Sequence, residues 1–309
     1  MCRFIFFGLL VDEYSLEDPA TLWNEGKWDW DTFYAYLHTA QTAFNASLGE
    51  YDEAMYAFGG YVNEVVQGML SARGGKFVDP EMQKVLFTNQ TTLDMYSDLR
   101  EITKNYGWAP GAGSDMSWEF VEGRQLFTHG GLWFLSSEMR FKSETIKFKI
   151  SAVPYPTANG DAAKRETYTI PMGSDSGFAF RNVTNSASGL TTKVLVNIMD
   201  DMSRGIAPEF SAETMTDEEA YVVFLQKRID SQASIEAIMS VESNISKYAY
   251  TDYLWVLSKS VGNGSDWQGE GFATWGMSLV TSDDDPAAAL ASHQDSYYQK
   301  LIEILNTGE

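Results

Sequence analysis

The chain contains 309 residues, of which 44 % are hydrophobic and 21 % charged, a composition typical of a soluble globular protein of about two domains. Its formal net charge of −21 repels nucleic acids and anionic membrane surfaces, so nucleic-acid binding is not expected. The single cysteine, Cys2, excludes an intrachain disulfide, and the three histidines show no metal-binding spacing, so neither a metal nor another cofactor is expected.

The chain opens on an apolar run, Phe4 to Val11. This run is too short to span a membrane and lacks the small-residue cleavage site of a signal peptide. It therefore predicts a strand, and a chain that starts with a strand of this kind is expected to begin inside a domain.

Capping residues predict the starts of the main helices. The predicted caps are Asp29, Asp79 followed by Pro80, Thr91, and Thr216 with capping-box spacing to Glu219. The helix after Thr91 is predicted to stop at Gly107, the helix after Thr216 to continue through Ile238, and a last helix to run from Pro286 to Leu305.

Strand signals are short and separated by these helices. The alternating segment 148–153 ends at a Pro-Tyr-Pro turn, and the segment 177–180 is a second candidate. Short strands alternating with long helices predict an α/β fold.

Three segments resemble the extracellular solute-binding proteins of ABC importers, the family that includes the maltose- and oligosaccharide-binding proteins. Segment 22–33 (LWNEGKWDWDTF) resembles the family's P-x-T-W-D-E-F helix entry, and segment 74–79 (GGKFVD) resembles a second family motif. Segment 120–133 (FVEGRQLFTHGGLW) resembles F-x-x-G-K-A-A-M-x-x-x-G-x-W, with Arg124 in place of lysine. Further on, 153–156 (VPYP) and 285–290 (DPAAAL) resemble the family's V-x-P-x-P and S-P-E-E-A-L segments.

The resemblance implies a periplasmic-binding-protein-like α/β fold with two lobes joined by a hinge. It places the second lobe at 14–170, with 270–309 returning to it, and the remaining part of the first lobe at 171–269. Family members carry a secretion signal and about a hundred further residues ahead of the segment that resembles 22–33. The resemblance therefore implies an N-terminally truncated chain with an incomplete first lobe.

The resemblance also implies a function: binding of a small solute, expected to be a mono- or oligosaccharide, in a cleft between the lobes, without catalysis. Sugars present hydroxyl groups and flat apolar faces, which aromatic and planar polar side chains recognise. The expected ligand-binding residues are Trp133, Tyr61, Phe58, Trp275, Ser174 and Asp175.

The same resemblance implies a monomer that delivers its ligand to membrane-embedded ABC permease subunits. It implies an extracellular or periplasmic location, with a lipoprotein anchor in full-length family members, although this chain shows no signal peptide.

Two alternatives remain open from the sequence. A glycoside hydrolase would need two carboxylates flanking the scissile bond, and Glu119, Glu122 and Glu138 lie near aromatic residues. However, Glu119 and Glu122 are one helical turn apart on a predicted surface helix. A relic that has lost transport and serves as an interaction module is the second alternative.

Overall fold

A computed structural model describes residues 2–50, 52–60, 62–106, 118–131, 148, 150–172, 191–197, 216–262 and 271–306. Strands and helices alternate along the chain, as the sequence predicts for an α/β fold. The strands are β1 (Cys2–Phe7), β2 (Tyr56–Phe58), β3 (Val78–Asp79), β4 (Lys84–Val85), β5 (Gln125–Gly131), β6 (Ile150–Val153), β7 (Ile170–Met172) and β8 (Ala249–Thr251). The helices before β6 are α1 (Gly8–Glu13), α2 (Pro19–Asn24), α3 (Trp30–Ser47), α4 (Val62–Ala72), α5 (Gln90–Tyr106) and α6 (Trp118–Val121). Those after β7 are α7 (Asp217–Gln226), α8 (Gln232–Glu242), α9 (Ile245–Tyr248), α10 (Leu254–Val261), α11 (Phe272–Ser278) and α12 (Pro286–Asn306), and residues 192–197 are also helical.

The main sheet has four strands in the order β2-β5-β1-β6. The first strand, β1, lies in the interior of the sheet and pairs antiparallel with both β5 and β6, whereas β2 pairs parallel with β5. The strands β2, β5 and β6 therefore run in one direction, and their carboxyl ends lie at the same edge of the sheet. This edge also receives the amino end of β1, because Cys2 pairs with Gly131.

An aromatic core holds α3 against this sheet. The ring of Phe4 in β1 stacks on Phe33 of α3 at 5.1 Å and meets Tyr155 edge-on at 4.5 Å. Phe58 and Phe127 complete the cluster, and all five side chains are buried. Aromatic pairs at these separations contribute about 0.5–1.5 kcal/mol each beyond the burial of their surface.

Several predicted helix starts are confirmed. Asp29 caps α3 by accepting a hydrogen bond from the backbone N–H of Thr32 at 3.0 Å. Thr216 and Glu219 form the predicted capping box at the start of α7. The last helix spans Pro286–Asn306, one residue longer than predicted.

Two helix predictions are wrong. Asp79 and Pro80 do not start a helix: Asp79 ends β3, and its carboxylate accepts a hydrogen bond from Met82 N at 2.9 Å in the turn to β4. The turn prevails because Val78 and Val85 bury their side chains as a paired ladder, and the six residues between them leave room only for a turn. The helix after Thr216 stops at Gln226.

The helix predicted from Thr216 through Ile238 is split in two because the chain makes a sheet contact between the two halves. Ile229 is buried and bridges to Ile150 of β6, which requires extended backbone. A new helix, α8, then starts at the cap Ser231, whose hydroxyl accepts from Ser234 N at 3.2 Å. Periodicity alone did not reveal this break, since the residues on both sides are good helix formers.

The chain divides into two compact bodies, residues 1–173 with 228–309 and residues 174–227. The expected division into lobes at 14–170 with 270–309 and at 171–269 stays a prediction. Residues 228–262 fall in the first body, where the indole N–H of Trp23 donates to Ser240 Oγ at 3.0 Å. Ser234 Oγ likewise accepts from the backbone N–H of Ala152 at 3.1 Å. The predicted strand 177–180 lies outside the described residues.

Replacing Gly68 by alanine is expected to destabilise the first body. A Cβ at this position of α4 would lie 2.2 Å from Cε2 of Tyr155, whose buried ring is held against Phe4. The overpacking should cost about 1–3 kcal/mol, more than the roughly 1 kcal/mol that alanine gains in helix propensity. Urea denaturation followed by circular dichroism measures the difference.

The matched control for this substitution is Thr42→Ala on the exposed face of α3, which should change the unfolding free energy by less than about 0.5 kcal/mol. A Gly68→Ala protein as stable as the wild type would show that Tyr155 does not pack tightly against α4.

Candidate functional site

The carboxyl ends of β2 and β5 meet at one edge of the main sheet. Because these strands are parallel neighbours, with Phe58 opposite Phe127, both strands end at this edge. Tyr61 comes three residues after Phe58, and Trp133 follows the end of β5 at Gly131. In open α/β sheets, ligands bind outside the carboxyl ends of the strands.

Gly60 allows the two chain segments to approach closely at this edge. Its φ of +117° lies in a region that other residues rarely adopt, and a Cβ there would lie 2.5 Å from Nδ1 of His129. The neighbouring Gly59 donates its N–H to the carbonyl of Phe127 at 3.0 Å. Glycine is therefore required at position 60 for this close approach to His129.

Helix α4 connects this edge to the small parallel sheet formed by β7 and β8. The helix begins at Val62, and Gln67 lies five residues later, about 7.5 Å along the helix axis. Ser71, one turn further, bonds the phenol of Tyr250 in β8 at 3.0 Å. On another face Gly68 contacts Tyr155, which follows β6. We call Gly59, Gly60, Tyr155, the segment 252–255 and the first two turns of α4 the α4 edge.

The residue after β8, Asp252, is a buried carboxylate within the α4 edge. Its backbone N–H donates to the carbonyl of Met172 at the end of β7, at 3.2 Å. One carboxylate oxygen accepts from Leu254 N at 2.8 Å and the other from the amide Nε2 of Gln67. Burial raises the pKa of Asp252, and these two hydrogen bonds offset the increase only in part.

Gln67 also joins Trp255 to this network. The indole N–H of Trp255 donates to Gln67 Oε1 at 3.0 Å. Trp255 lies in the first turn of α10, is partly exposed, and meets Phe272 edge-on at 6.1 Å. The network therefore joins a buried carboxylate to a partly exposed aromatic ring.

Four of the six residues expected to bind a ligand, Trp133, Tyr61, Ser174 and Asp175, lie outside the described residues. Phe58 is described and fully buried, with its ring 5.3 Å from Phe4 and 5.9 Å from Phe33. In this position the ring belongs to the aromatic core and has no exposed surface. Its expected role in binding remains a prediction, and it would require the ring to leave the core.

Trp275 is also packed against other aromatic side chains. Its ring stacks on His293 of α12 with 4.0 Å between centroids and 5° between planes. Phe87, Phe272 and Tyr297 surround its edges at 5.1–6.0 Å. One face of the indole is thus occupied by His293, and the expected contact between Trp275 and a ligand remains a prediction.

The sequence did not single out the Gln67–Asp252–Trp255 network. Asp252 and Trp255 have the i, i+3 spacing of a first helical turn, which is a weak local signal. Gln67 is separated from Asp252 by 185 positions, so no local pattern connects them. Only the packing of α4 against β8 brings the three side chains together.

A separate surface groove of about 500 Å³ lies between α5 and the turn after α11. Arg100 lines it and donates to the carbonyls of Leu279 at 3.0 Å and Asp284 at 2.6 Å. These bonds tie α5 to the turn, so Arg100 has a structural role there. Charges of both signs, from Glu101, Lys104 and Asp283, line the rest of the groove, and no ligand class is favoured.

Comparison with solved structures shows the fold of the chain. An ABC substrate-binding protein from Listeria monocytogenes, solved in complex with cycloalternan, matches 97 % of this chain and 69 % of its own length, at 13 % identity and a TM-score of 0.53. UgpB from Mycobacterium tuberculosis, in complex with glycerophosphocholine, matches 98 % of this chain and 69 % of its own, at 14 % identity and a TM-score of 0.54. The sugar-binding protein MalE from Xanthomonas citri matches 98 % and 69 %, at 11 % identity and a TM-score of 0.55.

The chain has the fold of these binding proteins. The expected fold class, an α/β fold of the periplasmic-binding-protein type, is therefore confirmed. No family model and no curated protein matches the sequence. Within the described residues, no helix has the length and apolar character needed to cross a membrane.

The raised pKa of Asp252 predicts a pH dependence of stability. A carboxyl whose pKa is higher in the folded protein favours folding while it is protonated. This stabilisation is complete below the ordinary pKa of 3.8 and is lost as the pH rises through the folded value. Relative to Asp252→Asn, the wild type should therefore lose unfolding free energy from about pH 4 upwards, by at most about 1.4 kcal/mol per pH unit.

Urea denaturation of both proteins between about pH 4 and pH 7 measures this difference, in which the titration of all other groups cancels. The Asp252→Asn substitution also removes a hydrogen bond, which changes the unfolding free energy by the same amount at every pH. The informative quantity is therefore how the difference in unfolding free energy between the two proteins changes with pH. Parallel pH profiles would contradict a raised pKa at Asp252.

Proposed function

We propose that the chain is the substrate-binding component of an ABC importer and binds a small polar solute, with a mono- or oligosaccharide as the favoured class. The observation that carries this proposal is the fold: at least 97 % of the chain is matched by each of the three solved structures described above. The structure of the Listeria protein contains a cyclic saccharide, and the Xanthomonas protein is a sugar-binding protein.

The α4 edge supports the proposal because it carries the partly exposed aromatic ring of Trp255. Aromatic side chains offer flat apolar surfaces, and a few fixed polar groups orient hydroxyls. The segments that continue from β2 and β5 carry Tyr61 and Trp133. Both are proposed to contact the ligand, as are Ser174 and Asp175. Phe58 and Trp275 are also proposed contacts, and in this structure both pack against other rings.

A glycoside hydrolase is the rival function, and the charges that precede β2 and β5, at the edge of the sheet opposite to the α4 edge, favour it less. One of the glutamates considered as a catalytic carboxylate, Glu122, forms an ion pair with Arg124. Arg124 also forms an ion pair with Glu53 at 2.9 Å. Arg124 further donates to the carbonyl of Ala54 at 2.7 Å, so this cluster fastens the start of β5 to the segment before β2. A structural role explains these charges, and the three structural neighbours are all binding proteins.

Delivery to membrane-embedded permease subunits and an extracellular or periplasmic location are part of the proposal. Both follow from the expected role in import.

The proposal predicts that a saccharide raises the melting temperature of the chain in a dose-dependent way. A ligand that binds only the native state stabilises it by RT ln(1 + [L]/Kd), about 2.7 kcal/mol at a hundredfold excess over Kd. A thermal-shift screen with glucose, maltotriose, cellotriose, chitotriose and glycerophosphocholine measures the effect, and chromatography of the incubated sugars tests for cleavage.

Alanine at Trp133 or Tyr61 should reduce this shift strongly, whereas Tyr298→Ala, an exposed aromatic residue on α12, should not. Circular dichroism before heating shows whether each variant is folded. A saccharide cleaved during incubation would establish an enzyme instead. Stabilisation by glycerophosphocholine alone would retain a solute binder and replace the proposed ligand class, and no shift with any probe would contradict solute binding by this chain.

A further inference from the structure

Trp255 occupies a position where a ligand at the α4 edge would meet it. It lies three residues after Asp252, which directly follows the carboxyl end of β8, and its ring is partly exposed. Its indole N–H is bonded to Gln67, in the second turn of α4. The same helix begins directly after Gly60 and Tyr61, so Trp255 and the β2–β5 end of the site are separated by about two helical turns.

The hydrogen bonds that hold Trp255 have a fixed direction. An indole N–H can only donate, and an ionised carboxylate can only accept. Gln67 therefore has one possible orientation, in which Oε1 accepts from Trp255 and Nε2 donates to Asp252. The second oxygen of Asp252 accepts from Leu254 N at 2.8 Å, within the same helical turn as Trp255. The carboxylate thus determines which way the amide faces, and the amide fixes the indole.

We propose that Trp255 is a specificity-determining wall of the solute site and that Asp252 is a positioning residue, holding the indole in place through Gln67. This inference rests on the proposed function and adds to it a residue that the family resemblance did not supply. The solutes favoured by such a wall have a flat apolar face, as the C–H face of a pyranose does.

A fixed ring improves binding because its side-chain freedom is lost on folding and not on ligand binding. Ordering a mobile side chain at a binding surface costs affinity, and a ring that is already held avoids this cost. Phe272 supports the indole from one edge at 6.1 Å, and the bond to Gln67 fixes its rotation. Asp252 and Gln67 are both buried, so they act on a ligand through Trp255 and not by contact.

The direction of the hydrogen bonds allows a test by paired substitution. In Asp252→Asn, the new amide opposes Nε2 of Gln67, or Gln67 turns over and opposes the indole N–H of Trp255, or the new amide turns over and opposes Leu254 N. Each arrangement brings two donors together, in the bonds of Gln67 or in the helical turn that carries Trp255, so the indole is held less firmly. Adding Gln67→Glu restores the series of hydrogen bonds, because a carboxylate at position 67 accepts from both the amide at position 252 and the indole. Gln67→Glu alone places two carboxylates together and should fail at a pH at which both are ionised, since neither can then donate.

Hydrogen exchange of the indole N–H measures the positioning without any ligand. In protein labelled with ¹⁵N at tryptophan, the Trp255 signal is the one that disappears in Trp255→Phe. Its exchange should be slow in the wild type, at least about tenfold faster in Asp252→Asn, and slow again in the double variant. Exchange unaffected by Asp252→Asn would overturn the positioning role.

Calorimetric titration with maltotriose, cellotriose and chitotriose measures specificity. Trp255→Ala should weaken the best of these ligands by about tenfold or more, and Asp252→Asn by about three- to tenfold, with recovery to within about twofold in the double variant. The matched control is Trp23→Phe, which also removes an indole donor, to Ser240, but lies on α2 and should leave the affinity unchanged.

The outcomes separate this inference from the proposed function. If the wild type binds a saccharide and Trp255→Ala binds it equally well, the wall is refuted while the proposed function stands. If Trp255→Ala weakens binding and the double variant does not recover it, the positioning role of Asp252 is refuted. If no saccharide binds the wild type, the proposed ligand class fails and the inference fails with it.

Discussion

The first body depends on β1 being packed in the interior of the main sheet. Its side chains Phe4, Ile5 and Phe6 are buried, and its backbone pairs with β5 on one side and β6 on the other. Without β1, the strand β6 would have no partner in this sheet, and α3 would lose the ring of Phe4 on which Phe33 stacks. Because β1 runs opposite to its neighbours, it leaves β2, β5 and β6 pointing the same way. The common carboxyl edge at which the site is proposed is a consequence of that topology.

Helix α4 links the main sheet to the rest of the first body. Its start is fixed by Gly60, which can approach His129 only because it lacks a side chain. Gly68 then admits the ring of Tyr155, while Gln67 and Ser71 bond residues in and after β8. One short helix therefore connects the end of β2 to the segment that follows β8. The proposed role of Trp255 depends on both contacts of α4, the one at the end of β2 and the one with the segment that follows β8.

Much of the fold could be predicted from the sequence where the signal was local. The caps at Asp29 and Thr216, the strand around 150–153 and the last helix all depend on a few adjacent residues, and the structure confirms them. The errors occurred where tertiary pairing overrode a local signal. Asp79-Pro80 has the sequence of a helix start, yet β3 and β4 pair across it.

The candidate site was predictable only in part, for the same physical reason. An aromatic residue next to glycines draws attention in a sequence, but whether its ring is exposed depends on packing, and Phe58 is buried in the core. The bond between Gln67 and Asp252 joins residues 185 positions apart, so it follows from the approach of α4 to β8 and from no motif. Trp255 was missed because nothing in its own neighbourhood distinguishes it from a core tryptophan.

The most direct test of the central claim is a crystal structure of the chain with the saccharide that stabilises it most. The account predicts that the sugar lies at the α4 edge, in contact with the segment after β2, the segment after β5 and the indole of Trp255. A sugar bound at the groove beside Arg100, or anywhere else away from the first turns of α4, would contradict it.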